Sequence, residues 1–350
     1  MTPDVVVLLA LLAYTTMLWM TPTLSRPGVF FGVSVRAEFR NTDIARTCVW
    51  RYRLVVVIGA AVAMAVMTTT PALSARARML VLLLHTMAVF GTWVLIRRAV
   101  TPHAQPPAEV RSAAITPRQM DIPGGPLALA GPFIIVAIAA LVVYANWEAI
   151  PERIPSMRRG ASGRMVTRSV NTVFSPFAFT AALLVAFTMQ TIFLVKRTRQ
   201  IAAGGPSFEA EARFKRRTAQ QSVVASYLMA IGPSWFATRR TLGDDGGFGI
   251  ADALWLGVIV VLAVAVTAWM IRVGQGGQRQ VPASAGAIAG DATPDTAWKG
   301  GLLYFNPTDP AVFVETRMGV GWSLNFGNVW SWVFLGFALG VPMLVLRLMR

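Results

Sequence analysis

Long apolar runs, separated by short polar and basic stretches, recur along the whole chain. Eight of them approach or reach the ~20 residues that a helix needs to cross hydrocarbon. They are 5–24, 54–67 with an extension toward 72, 79–96, 127–145, 174–195, 222–237, 253–271 and 329–346. The sixth is the weakest, being short and containing Gly232, Pro233 and Ser234. The first run has Asp4 but no basic residue ahead of it, and Arg26 behind it. That is the wrong charge pattern for a signal peptide, so it is read as a true span. The expected fold is an all-α integral membrane protein, a polytopic bundle of about eight transmembrane helices.

Charge then orients the spans. With eight spans and the N-terminus outside, 21 of the 32 Lys and Arg fall in the four inner segments. Cytoplasmic loops carry such an excess, so N-out/C-out is expected. Two stretches read as linkers: the Pro- and Gly-rich 99–126 and the small, polar 274–297, a flexible tether. The chain then divides into an N-terminal three-helix segment 1–98, a membrane core 127–273 with an extracytoplasmic loop 147–173, a cytoplasmic motif 298–327 and a last helix 328–350. Within the motif, Leu302–Phe305 and Val312–Val314 are expected as short strands of a small cytoplasmic turn/strand element.

Composition narrows the function. The 350 residues are 55% hydrophobic and 14% charged, with a mean hydropathy of +0.56, too apolar for an ordinary soluble domain. The net charge of +16 is lodged in loops that would face anionic lipid, with no nucleic-acid recognition motif beside it, so no nucleic-acid partner is expected. Cys48 is the single cysteine, and His85 and His103 lie far apart, so neither a disulfide nor a metal site is expected. Arg far outnumbers Lys, and Ala is abundant, the composition of a GC-rich bacterium. Trp19, Trp93, Trp147, Trp255, Trp269, Trp330 and Trp332 sit near span ends, where interfacial anchoring is expected.

No carboxylate lies deep inside a span. Asp252 begins the seventh and Glu148 follows the fourth. His85 alone is an intramembrane ionisable group, expected to be neutral and bonded to a neighbouring helix. An ion-coupled transporter normally needs more, and no acid–base pair for an enzyme is visible. No catalytic residue, metal or cofactor is expected.

Two loops carry more specific patterns. After the fourth span the chain reads Asn146-Trp147-Glu148-Ala149-Ile150-Pro151-Glu152-Arg153-Ile154-Pro155-Ser156-Met157 and continues through Gly160, Gly163 and Arg164 to Arg168-Ser169. Each Pro disfavours helix before it, so the chain must run extended along the outer surface. Five arginines (153, 158, 159, 164, 168) break the positive-inside trend there. This loop resembles that of the SdpI-like family of bacterial membrane proteins, marked by Leu/Ile-Pro-x-x-Ile-Pro-x-His, a Gly turn and a Lys/Arg-Ser element. Ile150-Pro151, Ile154-Pro155, Gly163, Arg168-Ser169 and Pro176 match. Met157 stands where the family has His, and the Gly-turn segment is about two residues shorter.

The second loop contains Trp298, Gly301, Tyr304, Asn306-Pro307, Asp309-Pro310, Arg317, Gly319, Gly321-Trp322 and Asn325-Phe326. It is similar to a small domain of unknown function that accompanies SdpI-like chains, with the pattern Trp-x-x-Gly-x-x-Tyr-x-Asn-Pro-x-Asp-Pro, a basic residue, then Gly-x-Gly-Trp-x-x-Asn-Phe. The resemblance implies a multi-pass protein of the bacterial inner membrane, of an immunity and signal-transduction type. It would respond to, or protect against, an extracytoplasmic membrane-active peptide or envelope stress. Implied binding residues are Ile150, Pro151, Ile154, Pro155, Arg164, Arg168 and Ser169 on the outer loop. On the inner side, 196–217 and 298–327 would meet a cytoplasmic regulator, with membrane lipids as general partners. The competing reading is a small-solute transporter or permease, suggested by Gly232-Pro233 and Gly340-Val341-Pro342, since broken helices can build midplane sites.

Overall fold

The computed structural model describes residues 3–70, 74–105, 121–155, 165–198, 205–243, 249–281, 291 and 293–348. The protein is mostly helical. Helix α1 (Pro3–Leu24) leads through the hairpin β1 (Val29–Phe30) and β2 (Val33–Ser34) to α2 (Asp43–Thr69) and α3 (Ala75–Val100). Then come α4 (Gly125–Ala145), the hairpin β3 (Arg153–Pro155) and β4 (Met165–Thr167), α5 (Val170–Lys196), α6 (Gly205–Thr241) and α7 (Ile250–Val273). Two more antiparallel hairpins follow: β5 (Trp298–Lys299) with β6 (Leu303–Tyr304), and β7 (Phe313–Glu315) with β8 (Trp322–Leu324). The chain closes with α8 (Val329–Leu335), a π-helical turn Gly336–Gly340 and α9 (Val341–Leu348).

Helix starts follow local chemistry. Thr42 and Ser74 cap α2 and α3 by accepting from the backbone N–H of Ala45 and Ala77, and Ser169 forms a reciprocal capping box with Thr172 at α5. Among the described residues, α2, α3, α4, α5 and α7 are long and apolar enough to cross a membrane. α6 is longer, but its first turns carry Glu209, Glu211, Arg213, Lys215, Arg216 and Arg217, and only its second half is apolar. The expected break at Gly232-Pro233 does not occur. α6 runs through it as one helix of 37 residues, ~55 Å long.

The reason lies in what Gly232 faces. A Cβ there would come 2.1 Å from Nε1 of Trp255, so the missing side chain is the seat of an indole from α7. The same device recurs twice. The hydroxyl of Tyr227 on α6 occupies the notch at Gly131 on α4, and the His85 ring on α3 occupies the notch at Gly59 on α2. In lipid, helices gain little from the hydrophobic effect and associate through close packing at small residues, which these notches provide.

Two helical groups result. In the first, α1–α3 close around Tyr52, Val56 and Trp93, and the β1–β2 turn inserts Phe31 between them, its ring 4.8 Å from Trp93 and 5.3 Å from Tyr52. In the second, α4–α6 share a core of Val143, Val173, Leu184 and Ala230. Trp93 is therefore a core residue and not the interfacial anchor expected from its position, because Phe31 seals it from above. His85 packs against a neighbouring helix, but the expected bond is not made: neither ring nitrogen has a hydrogen-bond partner among the described residues.

If Gly59 exists to seat His85, adding a methyl there must displace the ring. Gly59→Ala is expected to lower the unfolding temperature of the detergent-solubilised protein. His85→Ala in the same chain should restore part of the loss. A double-mutant cycle should give a coupling of about 1 kcal/mol or more, and strict additivity would refute the notch.

Candidate functional site

The polar end of the first helical group, the ends of α5 and α7 and the start of α6 converge on the hairpins β5–β8. Val312 N–H donates to the carbonyl of Arg197, just past α5, at 2.8 Å. Phe214 on α6 lies 5.4 Å from the rings of both Trp269 and Trp322. Gln275, just past α7, exchanges two hydrogen bonds with the backbone of Gly321, at 2.7 and 2.9 Å. Gly276 and Gly277 follow at positive φ, where a Cβ would strike Arg26 and the Ala210 carbonyl respectively. The first part of the stretch read as a flexible tether, 274–277, is thus packed. Its glycines serve close approach and not mobility.

At the centre of the convergence Arg317 is 1% exposed. Its guanidinium holds Asp291 in a bidentate pair at 2.7 and 3.0 Å and reaches Asp295 at 2.6 Å. It also donates to the carbonyls of Gly32 (2.9 Å) and Thr293 (2.7 Å), and it sits 5.1 Å over the Trp298 ring. Asp295 in turn accepts from the backbone N–H and hydroxyl of Ser34. Burial works to lower the Arg317 pKa, but Asp291 and then Asp295 outweigh it, and the group is held above its ordinary value. A second buried pair lies beside it. Arg26 grips Glu315 through Nε and Nη2, at 2.5 and 2.8 Å, and its pKa is likewise raised by Glu315 against burial.

The nine motif residues singled out from sequence gather around these pairs, mostly as framework. Trp298 donates its indole N–H to the Thr293 hydroxyl and packs on Tyr304. The Tyr304 hydroxyl donates to Asp309 at 3.0 Å and accepts from Asn306 at 3.2 Å. Asn325 is wholly buried and fully used: its amide N–H₂ donates to the carbonyls of Asn306, Asp309 and Ala311, and its Oδ1 accepts from the N–H of Asn306 and Gly327. Gly301 and Gly32 cross back to back, where a Cβ on Gly32 would lie 2.6 Å from the Gly301 backbone. Gly319, at positive φ, donates to the Ser25 hydroxyl, and Gly321 is the residue that Gln275 reads. The strand β6 falls within the expected Leu302–Phe305, and β7 overlaps the expected Val312–Val314 but runs one residue further, to Glu315. Sequence reasoning counted Arg26 as a loop charge and gave Asp291, Asp295, Glu315 and Gln275 no role. The one signal was their acidic or amide character inside otherwise small, polar stretches.

At the opposite ends of α4 and α5 the 147–173 loop is also built on framework contacts. Ile150 and Ile154 are buried in the α4–α6 core. Arg168 donates to the carbonyls of Trp147 and Ile150, at 2.8 and 2.9 Å, and its guanidinium lies 5.3 Å from the centre of the Trp147 ring. Ser169 is the α5 cap, Pro151 is exposed, and Pro155 ends β3. Residues 156–164, with Met157, Gly160, Gly163, Arg158, Arg159 and Arg164, lie outside the described residues. Beside the loop an apolar groove of about 780 Å³ is lined by Leu141, Tyr144, Trp147, Val170 and Phe174.

Bundle and clusters define a helical membrane protein in which a small polar module is clamped onto the helix ends. The buried charges answer one another, and among the described residues no group of His, Cys, Asp and Glu could hold a metal. Residues 307–332, the second half of the module with the start of α8, match a family of unknown function, DUF5808. No curated protein and no solved structure matches the chain.

Removing one partner of a buried pair strands a charge, whereas replacing both leaves none. Glu315→Leu alone is therefore expected to destabilise by about 3–5 kcal/mol, and Arg26→Leu/Glu315→Leu to recover much of it. Denaturant unfolding monitored by tryptophan fluorescence checks this. A double variant as weak as the single one would mean that the pair is not what holds the segment.

Proposed function

We propose that this protein is a multi-pass sensor or immunity protein of the bacterial inner membrane, one that meets an extracytoplasmic membrane-active peptide. Eight spans with both termini outside put the module in the cytoplasm and the 147–173 loop outside, in keeping with the basic inner segments. The observation that carries the reading is the outer loop. Ile150 and Ile154 fold it onto the bundle, Arg168 ties its two ends together, and it borders an apolar groove floored by the stacked rings of Trp147 and Phe174. An apolar, amphipathic peptide lying in the outer leaflet has there both hydrocarbon to bury and aromatic edges to meet. The SdpI-like pattern of the loop supports the same reading. On the inner side, the module and the basic start of α6 are the surface for a cytoplasmic regulator.

Solute transport is the second reading. The π-helical turn at Gly336–Gly340 favours it, since such turns often mark functional positions in helices. The unbroken α6 speaks against it.

The deciding experiment challenges cells expressing the chain with a panel of depolarising peptides and follows membrane potential. Wild type is expected to keep its potential at several-fold higher peptide than cells lacking the protein. Arg168→Ala, which unties the far end of the loop from its start at Trp147 and Ile150, should lose that margin while remaining in the membrane at normal levels. No protection against any peptide would remove the immunity reading.

A further inference from the structure

A groove of about 1100 Å³ runs between α6 and α7, on the half of the bundle nearer the module. No residue in the apolar stretch of α7 is fully buried by the rest of the chain, and Ile259, Leu262 and Val266 line the groove as one apolar wall. The groove is graded in polarity. At the module end lie Arg217, Gln220 and Gln221 of α6, with Gln190 of α5 beside them. The hydrogen bond between Thr191 and Ser222, 2.8 Å, sets Gln190 level with Gln221. Arg213 and Arg216 are exposed on the preceding turn. Toward the far end the lining is Phe187, Val224 and Leu228.

Two features point to an amphiphile. Gln190 is exposed within the apolar stretch of α5 and has no hydrogen-bond partner among the described residues, and an amide facing hydrocarbon alone costs several kcal/mol. A ligand with ester carbonyls at that depth satisfies it. The length also fits: from Arg217 to Leu228 the helix rises ~16 Å, about half of the ~30 Å hydrocarbon core. The groove is one leaflet deep, with cations where phosphates lie.

We propose that this groove binds one anionic phospholipid from the leaflet on the module's side. An acyl chain lies along Leu228 and the α7 wall, the glycerol esters meet Gln190 and Gln221, and the headgroup phosphate pairs with Arg217, whose planar fork suits it.

The test uses the full chain in mild detergent, delipidated, and native mass spectrometry with phosphatidylglycerol, phosphatidylcholine or soluble glycerol 3-phosphate. One phosphatidylglycerol adduct is expected, with about tenfold preference over phosphatidylcholine, a difference of ~1.4 kcal/mol. Arg217→Gln should abolish the preference. Ala263→Trp and, separately, Leu228→Trp fill the groove and should remove both lipids while helix content by circular dichroism stays unchanged. Three results would each overturn the proposal: adducts persisting in both filled variants, equal binding of the two lipids by wild type, or glycerol 3-phosphate binding as tightly as the lipid.

Discussion

The interaction on which the rest of this structure depends is the embrace of Arg317 by segments far apart in sequence. Gly32 and Ser34 come from the turn after α1, Asp291, Thr293 and Asp295 from the approach to the module, and Trp298 from the module itself. A buried guanidinium is stable only when its charge and its N–H groups are all answered. Removing any one segment therefore strands the cation, and the three must arrive together. That cooperativity is the physical reason a module of two- and three-residue strands, too small to hold itself up in water, is ordered here.

The sign of the charges matters as much as their number. Asp291 and Asp295 meet Arg317, and Glu315 meets Arg26, so the two buried arginines are matched by three carboxylates within one small region. Two of the basic residues counted from sequence toward the positive-inside trend thus face protein and not lipid. The trend still has its physical basis in exposed groups such as Arg213, Arg216 and Arg217.

The helices were legible because their signal is local. Apolar runs of the right length show that a helix is present, but not where it starts: α2, α3 and α5 begin earlier than the runs at 54, 79 and 174, at caps Thr42, Ser74 and Ser169. Gly232-Pro233 misled because Pro is a breaker by backbone chemistry alone, whereas here the glycine beside it seats Trp255, a contact set by tertiary packing. The tether reading failed over 274–277 for the same reason, since Gly276 and Gly277 look like flexibility until Arg26 and Ala210 are placed against them. The motif residues were found by pattern, and their roles were not. That Asn325 answers five backbone groups follows only from a turn whose path the sequence does not draw.

This division bears on where function resides. Residues such as Ile150, Ile154, Arg168, Tyr304 and Asn325 already spend their hydrogen bonds or surface on the fold. A ligand competing for them would have to unmake structure first. The surfaces with capacity to spare are the two grooves, one largely apolar and beside the 147–173 loop, the other apolar at one end and cationic at the other. The motifs, on this argument, are what hold those grooves in shape. Substitutions within a motif should then act on every activity of the protein alike, because they loosen the frame, whereas substitutions in one groove should separate one activity from the other.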